Sequence, residues 1–139
     1  MNSYSIEELE EQKTKAEFDV KITEEMMDIF CQLSGDNNPM HLDCEYAKSK
    51  GMKGKTVYGM LVAFFYSKLV GMYLPGKFCL LHEIKVNFNK PVYPGDVLHI
   101  SGVIKEKKEL FQRVVIAARI HNQNKEKVSS AVITVGVLK

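Results

Sequence analysis

The sequence predicts an α+β fold in which an antiparallel sheet of about five strands wraps around one long apolar helix. Three observations predict it. The stretch 56–74, TVYGMLVAFFYSKLVGMYL, holds one charge, Lys68, and spreads its apolar residues over every helical face. That is the pattern of a helix enclosed either by its own protein or by lipid. Twelve uncharged residues separate Lys55 from Lys68, too few for a bilayer crossing of roughly 20 residues. Beyond Gly76 the pattern changes to period-two alternation and keeps it through Val137, the signature of half-buried strands.

Composition bounds the rest. At 139 residues the chain is read as one domain, 1–139, large enough to bury a core. Charged residues make up 26% and apolar residues 45%, a globular balance that argues against disorder. A net charge of +2 without a Lys/Arg block gives no electrostatic footprint for nucleic acid. Cys31, Cys44 and Cys79 are widely spaced and form no CxxC pair, so neither a disulfide framework nor a zinc site is expected. The acidic opening MNSYSIEELEEQK lacks an apolar signal core. A cytoplasmic protein is expected.

Residues 6–11, IEELEE, read as a solvated, acidic lead-in. In 14–22, TKAEFDVKI, the residues Ala16, Phe18, Val20 and Ile22 share one face of a first strand. A helix follows, with Thr23 as N-cap, Glu24 and Glu25 in the first turn and Gly35 as the stop. Its buried face is expected to carry Met26, Ile29, Phe30 and Leu33. A polar loop spans 35–43, a short helix runs through 45–48, and GMKGK at 51–55 leads into the apolar helix, which LPG at 74–76 ends. Four strands come next. Their inward sets are Ile84, Val86 and Phe88; Leu98, Ile100 and Ile104; Val114, Ile116, Ala118 and Ile120; and Ala131, Ile133, Val135 and Val137. The turn at 91–96 and charged turns at 105–109 and 122–127 separate them. Five strands around one helix leave sheet edges to manage, and an exposed edge invites a second copy, so a dimer is expected.

The chemistry concentrates in the polar loop. Asp36 and His41 flank Asn37, Asn38 and Pro39, turn formers that fold the chain back and bring both side chains to one side of a cleft. A carboxylate and an imidazole together move protons and activate water. The loop directly precedes the apolar helix, whose start at Tyr58-Gly59-Met60 presents N–H groups with no internal partner at the positive end of the helix dipole. Gly59 has no side chain to block a carbonyl oxygen from its N–H, as in an oxyanion hole, although it equally permits close packing on the sheet. His99 and His121 fall on polar strand faces. His82 shares parity with Ile84 and Val86 and is read as a core or interface histidine. No spacing makes a metal site and no glycine pattern binds a nucleotide.

SGDNNPMHLD at 34–43 resembles the hydratase signature of the MaoC-like family, which includes the (R)-specific enoyl-CoA hydratases. The resemblance extends through EYAK at 45–48, GMLVA at 59–63, LPG at 74–76, NFNKPV at 87–92 and PGD at 94–96. It implies a hot dog fold, an antiparallel sheet around a long apolar helix, assembled as homodimers. It further implies that Asp36 and His41 form the catalytic pair for hydration of a trans-2-enoyl thioester, or dehydration of the (R)-3-hydroxyacyl thioester. Gly59 would donate to the thioester oxygen, Asn38 would hold the Asp–His geometry, and Ser67 matches a family serine near the catalytic aspartate. No cofactor is implied beyond the coenzyme A or acyl-carrier phosphopantetheine that is part of the substrate, whose phosphates scattered lysines would meet. The implied partners are this acyl thioester and a second copy, with neither nucleic acid nor membrane.

One position departs from the family pattern. A histidine usually precedes the Gly-Met of the central helix, and here that residue is Tyr58, which hydrogen-bonds but does not titrate near neutrality. Two alternatives therefore stand beside the hydratase reading: a hot dog acyl-CoA thioesterase, and a catalytically silent acyl-binding subunit. The bulky Phe64, Phe65, Tyr66, Met72 and Tyr73 are read first as core, and secondarily as the floor of a short acyl pocket.

Overall fold

The computed structural model describes residues 1–138. Strand β1 (Lys15–Lys21) is followed by helices α1 (Glu24–Ser34), α2 (Pro39–Leu42) and α3 (Cys44–Ser49). The central helix α4 (Gly59–Lys68) runs on into a wider π-helical turn, Leu69–Tyr73. Strands β2 (Cys79–Phe88), β3 (Val97–Lys108), β4 (Arg113–His121) and β5 (Lys127–Val137) complete the sheet. All pairings are antiparallel, in the order β1-β3-β4-β5-β2. This is the expected hot dog architecture.

Register explains how the helix is seated. Ala16, Gly102, Ala118 and Ala131 face one another across β1, β3, β4 and β5, a row of small residues on the inner face. A methyl group on Gly102 would lie 2.7 Å from Leu69 Cδ2. The glycine therefore lets the helix descend onto the sheet, a usual reason for glycine within a strand. Ile104, Ile116 and Ile133 form the next inward row and are fully buried. The helix's buried stripe, Leu61, Val62, Tyr66, Leu69 and Val70, packs onto this floor. The Tyr66 hydroxyl donates to Ser129 Oγ (2.9 Å), which donates to the Asn87 carbonyl (2.9 Å), so the buried polar atoms there are satisfied.

Several expectations need correction. The apolar helix is not enclosed on every side: Met60 is 67% and Phe64 57% exposed, and Ser67 and Met72 lie on the same open side. Residues 56–58 are not helical, so the helix starts at Gly59. The open stripe neighbours edge strand β2, where Leu80, Ile84 and Phe88 are also exposed. A single sheet curls around only part of the helix.

In α1 the Thr23 cap and the left-handed Gly35 stop are as expected, but Ile29 and Leu33 face outward and Met27 is buried instead. The acidic lead-in is not a solvated segment. Ile6 and Leu9 are fully buried core residues, carried by a 3-10 turn whose capping box joins Ser5 and Glu8. Strand β3 runs on to Lys108, so the turn expected at 105–109 moves to a 3-10 turn at Glu109–Phe111. His82, beside the register shift between Leu81 and Glu83, is exposed on edge strand β2, so it is not a core histidine, while the interface reading stands. Among the described residues no helix is long and apolar enough to cross a membrane.

Candidate active site

The loop between α1 and α2 is tied down at almost every residue. Gly35 takes the left-handed conformation (φ 73°) and its N–H closes α1 on the Cys31 carbonyl. Ser34 Oγ donates to the Phe30 carbonyl (2.7 Å) and accepts from the Asp36 N–H (3.1 Å). The Asp36 carboxylate accepts from the Asn38 N–H (3.0 Å). The Asn38 side chain caps α2 by accepting from the Met40 N–H (2.9 Å), and its carbonyl accepts from the His41 N–H (3.0 Å). Asn38 thus links Asp36 to His41 through two bonds, and a third caps the helix that carries His41. The Cys31 thiol adds a bond to the Asn37 side-chain oxygen (3.2 Å).

His41 is oriented from the opposite side. Its Nδ1 lies 2.8 Å from the Thr56 carbonyl oxygen. A carbonyl only accepts, so Nδ1 carries the proton and Nε2 is left with its lone pair in the neutral ring. The buried Thr56 was not singled out by sequence, yet it determines the tautomer. The signal available was a polar residue at the entrance to the most apolar stretch.

Asp36, His41, Tyr58 and Gly59 line one cleft of about 280 Å³, closed by Phe30, Ser34, Met60 and Phe88. The Phe88 ring rests on Gly59, with Cε1 3.4 Å from where a Cβ would stand. Gly59 is the first residue of α4, so its N–H has no partner within the helix and faces negative charge favourably. Beyond Gly59 and Phe88 lies a second cleft of about 280 Å³, walled by Met40, Met52, Val57, Val62 and Val128, with Asn89 and Lys90 on its rim.

Tyr58 is buried (1% exposed) and caps α4 with its carbonyl, which accepts from Leu61 and Val62. Its hydroxyl donates to the Asp36 carbonyl (2.9 Å). Its ring stacks on His41 (4.1 Å between centroids) and meets Phe30 at 4.8 Å. Burial, with Cys31, Asp36 and Asp28 nearby, pushes the phenol up to about 12.

Other residues fall outside the cleft. Ser67 sits on the open helical stripe, eight residues beyond Gly59 or about 12 Å along the axis, and is not among the residues lining this cleft. Tyr66 is core, Tyr73 stacks on Phe18, and Phe64 and Met72 are exposed, so none of them floors the cleft. His99 pairs with Asp19 (2.6 Å) and Glu17 (3.4 Å) on the outer sheet face, and Asp19 raises its pKa. No cluster of three or more metal-ligating side chains occurs among the described residues.

Comparison with known proteins gives a consistent picture. An (R)-specific enoyl-CoA hydratase from Aeromonas caviae is 33% identical over 94 residues, covering 68% of this chain and 70% of that protein. A protein of the same name from Rhodospirillum rubrum is 34% identical over 63% of each chain. Among solved structures, the unliganded R-hydratase from Pseudomonas aeruginosa superposes with a TM-score of 0.90 at 31% identity, covering 99% of this chain and 87% of the other. A family model described as MaoC like domain matches residues 5–125. With that match over most of its length and relatives named as hydro-lyases, this chain belongs to the MaoC-like domain family.

Proposed function

We propose that this chain is a hydro-lyase that reversibly adds water to a trans-2-enoyl thioester, the reverse reaction dehydrating the (R)-3-hydroxyacyl thioester. The observation that carries the reading is the pinned imidazole. With Nδ1 held by Thr56, Nε2 is the basic atom in a cleft that also holds a carboxylate and a helix-start N–H. The (R) configuration and the thioester class rest on relatives named (R)-specific enoyl-CoA hydratase and 3-hydroxyacyl-[acyl-carrier-protein] dehydratase.

Each group has a role in the addition. Asp36 holds the water with its carboxylate, and His41 Nε2 takes a proton from it as the oxygen bonds to C3. The displaced electron pair runs to the thioester oxygen, where the Gly59 N–H meets the developing charge. The proton then passes to C2, so one water is added in sum. Asn38 keeps Asp36 and His41 in register. C2 and C3 lie on the acyl side of the carbonyl, so a substrate oxygen at Gly59 with its double bond beside Asp36 and His41 sends its carrier arm the other way. The second cleft, which shares Gly59 and Phe88 with the first and has Lys90 in its lining, is the one proposed to take that arm. The carrier's phosphopantetheine belongs to the substrate, and no further cofactor is invoked.

The working unit is proposed to be a homodimer. β2 is an edge strand whose Phe88 rests on Gly59 at the start of α4, and the exposed Met60 and Phe64 follow on that helix; both are surfaces that pairing with a second copy would cover.

Incubation with crotonyl-CoA tests the reaction. The expected result is loss of the enoyl absorbance with no free thiol. Thiol release in step with substrate loss would make the protein a thioesterase, and tight binding without turnover would make it an acyl-binding module; either result overturns the proposal.

A further inference from the structure

The three groups that the proposed reaction needs come from separate stretches: Asp36 follows α1, His41 lies in α2 and Gly59 opens α4. One residue joins them. The Tyr58 hydroxyl bonds to the Asp36 carbonyl (2.9 Å), its ring lies on the His41 imidazole (4.1 Å, planes 29° apart), and its own peptide bond supplies the Gly59 N–H. Its backbone is fixed by the two bonds that Leu61 and Val62 donate to its carbonyl, and its ring is wedged by Phe30. We infer that Tyr58 is a positioning residue: it sets the Asp36 loop and the His41 ring plane against the start of the central helix.

This inference deepens the hydratase reading and rests on it. A histidine in place of Tyr58 has a shorter side chain and does not reach the Asp36 carbonyl in the same way. The phenol also has a consequence for pH. Pushed up to about 12 by burial and by Cys31, Asp36 and Asp28, it remains a donor throughout the neutral range, so the restraint does not switch with pH there. The groups facing it are Cys31 and Asp28 from α1, Asp36 from the loop and His41 from α2, and none of them forces the hydroxyl to ionise near neutrality.

Tyr58→Phe isolates the hydroxyl, because the ring and its stacking survive. Asp36 is exposed, so its carbonyl can turn to water and the fold loses little. The expected result is a fall in kcat for crotonyl-CoA of about 3- to 10-fold, in line with one lost hydrogen bond. KM should stay within about twofold and the urea midpoint should stay close to wild type. Tyr58→His also gives up the bond to the Asp36 carbonyl and should not restore kcat above Tyr58→Phe. A second readout needs no turnover: the His41 Cε1–H signal, assigned by its loss in His41→Gln, should shift its titration and broaden in Tyr58→Phe. Wild-type kcat with an unmoved His41 titration in Tyr58→Phe would overturn the inference and reduce Tyr58 to packing. If the wild type turns over no enoyl thioester, the reaction assignment fails, and the His41 signal still decides the role of Tyr58.

Discussion

Replacing Gly102 with alanine places a methyl group where the central helix already sits. The added carbon would stand 2.7 Å from Leu69 Cδ2 and 3.3 Å from Ile116 Cγ2, against a preferred carbon–carbon separation of about 3.5–4.0 Å. Leu69 and Ile116 are fully buried, so neither side chain can swing into solvent. Overpacking of this kind costs about 1–3 kcal/mol. The more rigid unfolded chain returns about 0.4–1 kcal/mol of that, leaving a net loss of about 1–2 kcal/mol. Urea denaturation of wild type, Gly102→Ala, Leu69→Ala and the double variant measures it. Leu69→Ala opens a cavity and is destabilising by itself, yet in that background the Gly102→Ala penalty should vanish, giving a coupling of about 1 kcal/mol or more. If Gly102→Ala is neutral or stabilising, or if its cost is unchanged when Leu69 is shortened, then the small-residue row does not seat the helix.

Two further expectations concern surfaces that the sequence pattern misrepresents. Ile6→Ala should cost about 2–5 kcal/mol in the same assay, because the acidic lead-in anchors a fully buried side chain; a change below about 0.5 kcal/mol would return that segment to the solvated surface. Sedimentation velocity should find two chains of 15.8 kDa together, and Phe64→Glu should sediment as one chain. A wild type that is monomeric at tens of micromolar would remove the dimer.

The architecture was readable wherever a residue's face is decided by its own strand. β4 and β5 are flanked on both sides, so their alternation and their burial coincide at Val114, Ile116, Ile133 and Val135. On edge strand β2 the same alternation names Ile84 and Phe88, which remain exposed because no further strand among the described residues flanks them. In α1 the apolar Ile29 and Leu33 suggested a buried face that the packing turns outward, and Met27 took their place. A periodicity gives the width of an apolar stripe but not which of its flanks meets the core.

At the site, turn chemistry around Asn38 and Pro39 was enough to bring Asp36 and His41 to one cleft, because those bonds span only two or three residues. The contacts that orient the pair were hidden. Thr56 meets His41 across 15 positions and Tyr58 meets Asp36 across 22, and such distances are closed by the fold rather than by local propensity. Tyr58 stood out as a departure from the family pattern, and its hydrogen bond gives that departure a physical role.

The initial rate of crotonyl-CoA hydration, compared among wild type, Asp36→Asn and His41→Gln, bears most directly on the proposed chemistry. Both substitutions are close in size to the native side chains, and Asp36 is exposed and His41 half-buried, so the fold should persist by circular dichroism. Removing a general acid or base should lower kcat by about 10²- to 10⁴-fold. Folded variants that hydrate crotonyl-CoA at the wild-type rate would contradict the assignment of Asp36 and His41.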